Sequence, residues 1–207
     1  MALIKPGNGS SLSGLVGGVV IVQTKRGSHM RSAPRYTKSS WTPNQIRHRM
    51  RFKKVSTFCN QFKETVIAQI WKYADEWING RALFLKANMA AFSPDGELTD
   101  PAKLQLSTGT LNIPGGMKIS RVEGENNAVK VSWLKDNSGG ARDGLMVVSA
   151  GEGVYSEISD TGLLRGSLGG IFQLSEIPAS VTHLYLFFGS RDRRSYSGSE
   201  CFALDSN

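Results

Sequence analysis

The chain has 207 residues, 40% of them hydrophobic and 20% charged, which is typical of a folded globular protein and excludes a disordered one. Two cysteines are too few for a disulfide-stabilised scaffold. The net charge of +8 is unevenly distributed. Residues 1–63 contain twelve Lys or Arg and no Asp or Glu, whereas residues 64–207 contain the other thirteen basic residues and all seventeen acidic ones. Such a basic segment is typical of an arm that binds a polyanion or docks on an acidic neighbour.

Residues 1–40 form a glycine-rich, basic arm. Glycine and serine are dense up to residue 24 and favour turns over helix, while the β-branched run Val19–Val22 predicts a strand. We predict a short hairpin or an extended arm. It cannot bury its own apolar residues, so they must pair with another element or another subunit. The predicted assembly residues are Val16, Val19, Val20, Ile21 and Val22.

The apolar run Leu12–Val22 is interrupted by glycines and followed by basic residues, so we interpret it as mature structure and not as a signal peptide. No segment approaches the ~20 apolar residues of a membrane span. Cys59 and Cys201 lie in apolar stretches and are predicted to be buried thiols. These features predict cytoplasmic synthesis without a signal peptide and no membrane partner.

Residues 41–100 form a helical segment. Thr42 suits an N-cap, Pro43 the first helical position and Gln45 the reciprocal position of a capping box, while Trp41 and Ile46 suit a hydrophobic staple. The helix is predicted to run to about residues 71–73. A second helix is predicted over residues 81–91, ended by the turn at residues 93–96. The predicted buried face of the first helix recurs at spacings of three and four: Phe52, Val55, Cys59, Phe62 and Val66.

Basic residues before and within the first helix predict a binding surface for a polyanion or an acidic partner. Tyr36 and Trp41 lie among them and suit stacking on bases, which makes nucleic acid binding by residues 25–54 one interpretation. The other is pairing of the arginines with acids on a neighbouring subunit or on the C-terminal domain. The residues concerned are Arg31, Arg35, Arg47, Arg49, Arg51, Lys53 and Lys54.

From residue 103 onward the hydrophobic period changes to two, and turn clusters separate about seven short strands. This pattern predicts an antiparallel β-sandwich over residues 101–207. Val129, Val131 and Trp133 alternate with polar residues and are predicted to point inward, while Leu184–Phe188 is apolar on both faces, as in a central strand. The predicted strands are Lys103–Ser107, Lys118–Glu123, Ala128–Leu134, Leu145–Ala150, Gly170–Leu174, Thr182–Gly189 and Glu200–Leu204.

The sequence contains no arrangement typical of a catalytic, cofactor or metal site. His29, His48 and His183 are scattered, and Asp136 and Asp143 lack the spacing of a calcium loop. We therefore expect no enzymatic activity, no catalytic residue, no metal ligand, no cofactor and no small-molecule substrate.

Two resemblances extend these expectations. Lys130–Trp133 and Tyr185–Phe188, followed by Ser195–Ser197, resemble the B strand, the F strand and the F–G region of a fibronectin type III-like domain. That resemblance implies an immunoglobulin-like sandwich with Trp133 in its core, without the disulfide of antibody domains.

Several N-terminal motifs occur in a fixed order: Ser13–Gly17, Arg31–Pro34 and Thr42–Gln45, followed by Arg49 and Phe52. This order resembles an uncharacterised family, known only as a domain of unknown function, that occurs in bacterial genomes and phage-like regions. The resemblance implies neither an activity nor a catalytic residue.

Together these features predict an α+β protein, with a glycine-rich β arm and basic helices followed by an immunoglobulin- or fibronectin III-like sandwich. The predicted function is a non-enzymatic assembly subunit, a phage virion component of the tail, neck or capsid periphery that forms a homo-oligomer or larger assembly through its arm. Two alternatives remain open: a nucleic-acid-binding protein, and a carbohydrate- or surface-binding module that uses the sandwich loops.

Overall fold

The computed structural model describes residues 3–4, 12–24, 27–35, 41–136, 139–174 and 181–204. Within these ranges the protein is α+β. In chain order, an N-terminal antiparallel sheet is followed by the helices and then by the strands of two further antiparallel sheets. Tyr36, which was considered for base stacking, lies outside the described residues.

The N-terminal sheet is an antiparallel meander of four strands in the order β1-β2-β3-β4. The hairpin predicted from the glycine pattern is present. Gly17 and Gly18, with φ of +54° and +70°, form the two-residue turn that joins β2 to β3. The strand β4 was not predicted, because its sequence is polar; its whole length pairs with β3. The bounds are β1 Leu3–Ile4, β2 Leu12–Val16, β3 Val19–Thr24 and β4 Gly27–Ser32.

The helix α1 spans Pro43–Cys59 and begins with the predicted capping box. The Gln45 N–H donates to Thr42 Oγ1 at 3.3 Å, and the Thr42 N–H donates to Gln45 Oε1 at 3.0 Å. Regular α-helical geometry ends at Cys59, earlier than predicted. The chain continues through 3-10 turns at residues 60–62 and 71–73 and a π turn at residues 63–67. The second helix, α2, spans Gly80–Asn88, and a 3-10 turn extends it to Ala91 as predicted.

Four of the five residues on the predicted inner face of the first helix are buried, namely Val55, Cys59, Phe62 and Val66. The prediction is wrong for Phe52, whose side chain is 48% exposed. Its spacing places Phe52 on the side of the helix close to this face. The buried part of the face begins at Val55, about one helical turn after Phe52.

Six of the seven strands predicted after residue 103 are present, and β8 and β9 are additional. The strands form a three-stranded sheet in the order β10-β6-β5 and a five-stranded sheet in the order β12-β11-β7-β8, with β9 also paired to β7. The bounds are β5 Lys118–Val122, β6 Glu125–Ser132, β7 Gly144–Gly151, β8 Val154–Tyr155, β9 Ser159–Leu164, β10 Gly169–Gln173, β11 His183–Gly189 and β12 Glu200–Ala203.

The strand predicted at Lys103–Ser107 is wrong. Residues 101–103 form a 3-10 turn and residues 104–107 have no regular secondary structure. Leu104 and Leu106 are nevertheless buried in the helical core. Side chains hold this segment in place, since the Leu106 N–H donates to Ser199 Oγ at 2.9 Å and the Gln105 N–H donates to Asn88 Oδ1 at 2.7 Å.

The five-stranded sheet is the middle layer of three. Alternate residues of β7 and β11, such as Val148 and Phe187, pack against the helices, while Val147 and Phe188 pack against the three-stranded sheet. Leu184–Phe188 is therefore buried on both faces, as predicted for a central strand.

Trp133 lies in the core between the two sheets, and Val129 and Val131 are buried with it as predicted. Its ring contacts Phe188 edge to face, with centroids 5.3 Å apart, and its Nε1–H donates to the Arg165 carbonyl oxygen at 3.0 Å.

The Arg165 side chain is itself buried and lies over the Phe188 ring. Its Nη1 is 3.0 Å from Asp136 Oδ2, and its Nε is 3.3 Å from Asp143 Oδ2. Two carboxylates and a ring face therefore hold this cation inside the domain, so we assign it a structural role.

Candidate assembly surface

The N-terminal sheet exposes apolar side chains on both of its faces. Strand register places Val16, Val19, Ile21 and Met30 on one face, because Val16 pairs with Val19 and Ile21 pairs with Met30. Met30 is 74% exposed, Val16 and Val19 are also exposed, and Ile21 is half-buried. This face is a continuous apolar surface, which we call the Val19 face.

The opposite face combines apolar and basic residues. Leu15 and Val20 are directly paired and Val22 lies on the same side of β3. Arg31 lies opposite Val20 on β4 and is exposed, as are Leu15 and Val22. The five predicted assembly residues are thus divided between the two faces.

The sheet makes no contribution to the buried core in the ranges that the structure describes, where the first buried hydrophobic residue is Val55. A small sheet with water on both faces cannot gain the burial that normally stabilises β structure. Soluble monomers rarely expose contiguous apolar surfaces of this kind, and such surfaces mark sites of interaction.

The first half of α1 also projects from the core. Every residue from Pro43 to Met50 is exposed. A groove of ≈ 600 Å³ runs along this part of the chain. Its lining combines apolar and basic side chains, namely Trp41, Ile46, His48, Arg49, Met50, Phe52 and Lys53.

Three of the predicted polyanion-binding residues contact the chain itself. Arg47 pairs with Asp95 at 3.3 Å, and Lys54 pairs with Glu97. Arg51 Nη2 donates to the carbonyl oxygens of Met89 and Phe92, at 2.6 and 2.7 Å. The turn after α2 therefore provides partners for one side of the helix, which leaves less of its charge for an external ligand.

The remaining predicted basic residues are exposed. The Arg49 guanidinium lies 3.5 Å above the Trp41 ring, and Lys53 lines the same groove. Arg31 and Arg35 belong to β4 and to the segment after it. Among the residues described, neither Arg49 nor Lys53 has an acidic side chain within salt-bridge distance.

One exposed surface, the loop of residues 73–79, was not predicted from the sequence. Tyr73, Trp77 and Ile78 are exposed there next to Glu76, and Asp75 accepts hydrogen bonds from the loop backbone. Two large aromatic residues and two acids just before a glycine were the signal that could have identified it.

The buried ionisable groups lie inside the core. Burial raises the pKa of the Cys59 thiol to about 11 and that of the Tyr155 hydroxyl to about 12. The Tyr185 hydroxyl donates to the Pro101 carbonyl oxygen at 3.0 Å, and burial raises its pKa as well. In the described ranges no group of three or more His, Cys, Asp or Glu is arranged to hold a metal ion.

No protein-family model matches this chain, and no curated protein matches it. In the part of the chain that the structure describes, no helix is both long and apolar enough to cross a membrane.

Proposed function

We propose that this protein is a non-enzymatic structural subunit that self-assembles through its N-terminal sheet. The observation that carries the proposal is the exposure of apolar side chains on both faces of that sheet, none of which joins the buried core of the described chain. Covering the Val19 face with a second copy removes this surface from water and supplies the burial that the sheet lacks.

We further propose that the assembly is part of a phage virion, in the tail, the neck or the capsid periphery. This setting is supported by the resemblance of the N-terminal motifs to a family that occurs in phage-like regions, and by the sandwich architecture, which is a fold-level analogy.

We also infer that residues 101–207 form a fibronectin type III-like sandwich. In immunoglobulin-type sandwiches the first, second and fifth strands share one sheet, and the third, sixth and seventh share the other. Here β5, β6 and β10 form one sheet and β7, β11 and β12 form the other. The chain departs from that pattern in one respect. In the immunoglobulin-type sandwich the first sheet has a fourth strand, whereas here β8 and β9, which lie between β7 and β10 in the chain, both pair with β7 in the second sheet.

Deletion of residues 2–35 tests the proposed function. It removes the whole N-terminal sheet and leaves the Thr42 cap and every described core residue in place. We expect the deletion to weaken self-association strongly in light scattering, and the truncated chain to unfold at the same midpoint as the full chain when both are measured on dissociated protein. Self-association of the truncated chain as tight as that of the full chain contradicts the proposal, and so does a full chain that is monomeric at every concentration.

A pair of point variants gives a matched control. Ile21→Lys introduces a charge into the Val19 face, whereas Ser13→Lys introduces the same charge on the opposite face of the sheet, at a polar and exposed position. We expect Ile21→Lys to weaken self-association strongly and Ser13→Lys to preserve it. Equal effects of the two substitutions contradict a role for the apolar surface.

Nucleic acid binding is the second candidate function, and the stack of Arg49 on Trp41 favours it. If this function is correct, changing Arg49 and Lys53 to Gln reduces the steepness of the salt dependence. The magnitude of the slope of the logarithm of the duplex DNA association constant against the logarithm of the salt concentration then falls by about two. Arg47→Gln is the control, because Arg47 already pairs with Asp95 and its loss is expected to change the slope less. A slope that is unchanged by the double substitution excludes this function for the groove.

A further inference from the structure

The loop of residues 73–79, which we call the acidic aromatic loop, presents large side chains to solvent. Trp77 is 50% exposed, and Tyr73 and Ile78 are exposed beside it. Trp and Tyr are the residues that contribute most often to binding energy at protein interfaces. Glu76 is also exposed, and in the described part of the chain it has no ion-pair partner.

The conformation of this loop is fixed at both ends. At its start, the buried Trp71 donates from Nε1 to the Leu106 carbonyl oxygen at 2.9 Å. At its end, the backbone of Gly80 passes so close to Trp71 that a Cβ would lie 2.5 Å from the Trp71 oxygen. Within the loop, Asp75 Oδ1 accepts the N–H groups of Trp77 and Ile78, at 2.6 and 2.8 Å. The backbone that presents the exposed aromatics is therefore held in place before any partner binds, which lowers the entropic cost of ordering the loop on binding.

The groove on the first half of α1 has the complementary chemistry. It presents Arg49 and Lys53 together with apolar side chains, and it lies within the segment of residues 1–63 that contains no acidic residue. Its composition is therefore basic and apolar, whereas that of the loop is acidic and aromatic. Charge complementarity of this kind favours association and selects the partner.

Most of the groove lies along the amino-terminal half of α1, whereas the loop lies at the other end. Lys53 is about 10 Å along the helix from Asn60, and among the described residues it forms no ion pair with Glu76. Arg81, at the start of α2, donates to Asn60 Oδ1 at 2.9 Å, which places the loop before α2 at the carboxyl end of α1. Arg51 contacts the carbonyl oxygen of Met89, so α2 runs antiparallel to α1. A rise of 1.5 Å per residue separates Ile46 from Asn60 by about 20 Å.

We propose that the α1 groove of one copy docks on the acidic aromatic loop of a second copy. The two surfaces differ, so the contact is heterologous, and repeating it generates a ring or an open filament and not a closed dimer. This inference rests on the proposed function and specifies one contact within that assembly. The partner it requires is another copy of the same chain.

Charge exchange between Lys53 and Glu76 tests the contact in the full-length protein. We expect Lys53→Glu and Glu76→Lys each to weaken self-association about tenfold in sedimentation equilibrium, because each places like charges opposite one another. The double variant, and an equimolar mixture of the two single variants, restores association because each pairing is again of opposite charge. Lys130→Glu, an exposed change of the same charge on β6, is the control and leaves association unchanged.

Trp77→Ala gives an independent measurement, because it removes an exposed side chain and leaves the charges intact. We expect it to weaken association without lowering the midpoint of thermal unfolding measured on dissociated protein. The proposal is overturned if the Lys53→Glu/Glu76→Lys double variant associates as weakly as either single variant. It is also overturned if the two single variants associate as tightly as the unchanged chain. In both cases the full chain still assembles through its sheet, so the proposed function is retained; a full chain that never associates refutes both.

Discussion

Removal of the Trp133 side chain is expected to destabilise the protein strongly. Trp133 is 5% exposed and lies between the two sheets. A buried aromatic side chain removes about 150–250 Å² from water, which at roughly 25 cal/mol per Å² corresponds to about 4–6 kcal/mol. Alanine retains part of this burial, and losses measured for aromatic-to-alanine changes in cores are about 3–5 kcal/mol. We expect a loss within that range for Trp133→Ala.

Trp133→Phe separates the polar contribution from the apolar one. It keeps a ring against Phe188 but removes one of two donors to the Arg165 carbonyl oxygen, which still accepts the Leu168 N–H at 3.4 Å. The net contribution of one such hydrogen bond is about 0.5–1.5 kcal/mol, so we expect its removal to cost an amount in that range.

The assay is urea unfolding followed by circular dichroism on dissociated protein, because the stability of a self-associating chain depends on its association. Trp77→Ala is the matched control: this tryptophan is outside the buried core, and its removal is expected to cost less than about 1 kcal/mol. Similar losses for Trp133→Ala and Trp77→Ala would refute the assignment of Trp133 to the core.

Two further predictions concern buried polar groups. Arg165→Met leaves two carboxylates beside a neutral side chain, so we expect a loss of about 3–5 kcal/mol in urea unfolding; a change below 1 kcal/mol contradicts a buried ion cluster. The raised pKa values of Cys59, about 11, and Tyr155, about 12, mean that both groups release their protons at lower pH in the unfolded chain than in the folded one. The contribution of these two groups to the free energy of unfolding is therefore expected to be constant below pH 9 and to fall from there to pH 12, and a flat profile between pH 9 and pH 12 contradicts the burial of these groups.

Local sequence chemistry determined the features whose partners are near in the chain. The capping box at Thr42 and Gln45 forms as predicted, since it needs only residues three apart. The turn at Gly17 and Gly18 forms because glycine, which has no Cβ, adopts two successive positive φ angles without strain. The alternation around Trp133 identified its buried side because successive residues of a strand point to opposite faces.

The tertiary structure decided which neighbours each segment contacts. Residues 104–107 alternate as a strand does, but alternation predicts only an extended chain, and here side chains such as Asn88 bind its backbone in place of another strand. Phe52 has nearly the spacing of a buried residue but lies one turn before the neighbours that cover the helix. The strand β4 was not predicted because its side chains are mostly polar and show no hydrophobic pattern. Backbone hydrogen bonds to β3 define this strand, and they do not depend on the side chains.

The candidate assembly surface also has features that the sequence determines and features that only the folded structure determines. The excess of basic residues before residue 64 is a property of the sequence, and so is the apolar run of β3. Which arginines are already paired depends on the turn at residues 93–97, which is brought to Arg47 and Lys54 by the packing of α2 on α1. Charge is fixed by residue type, but its availability to a partner depends on contacts between residues about 40 positions apart, and these exist only in the folded chain.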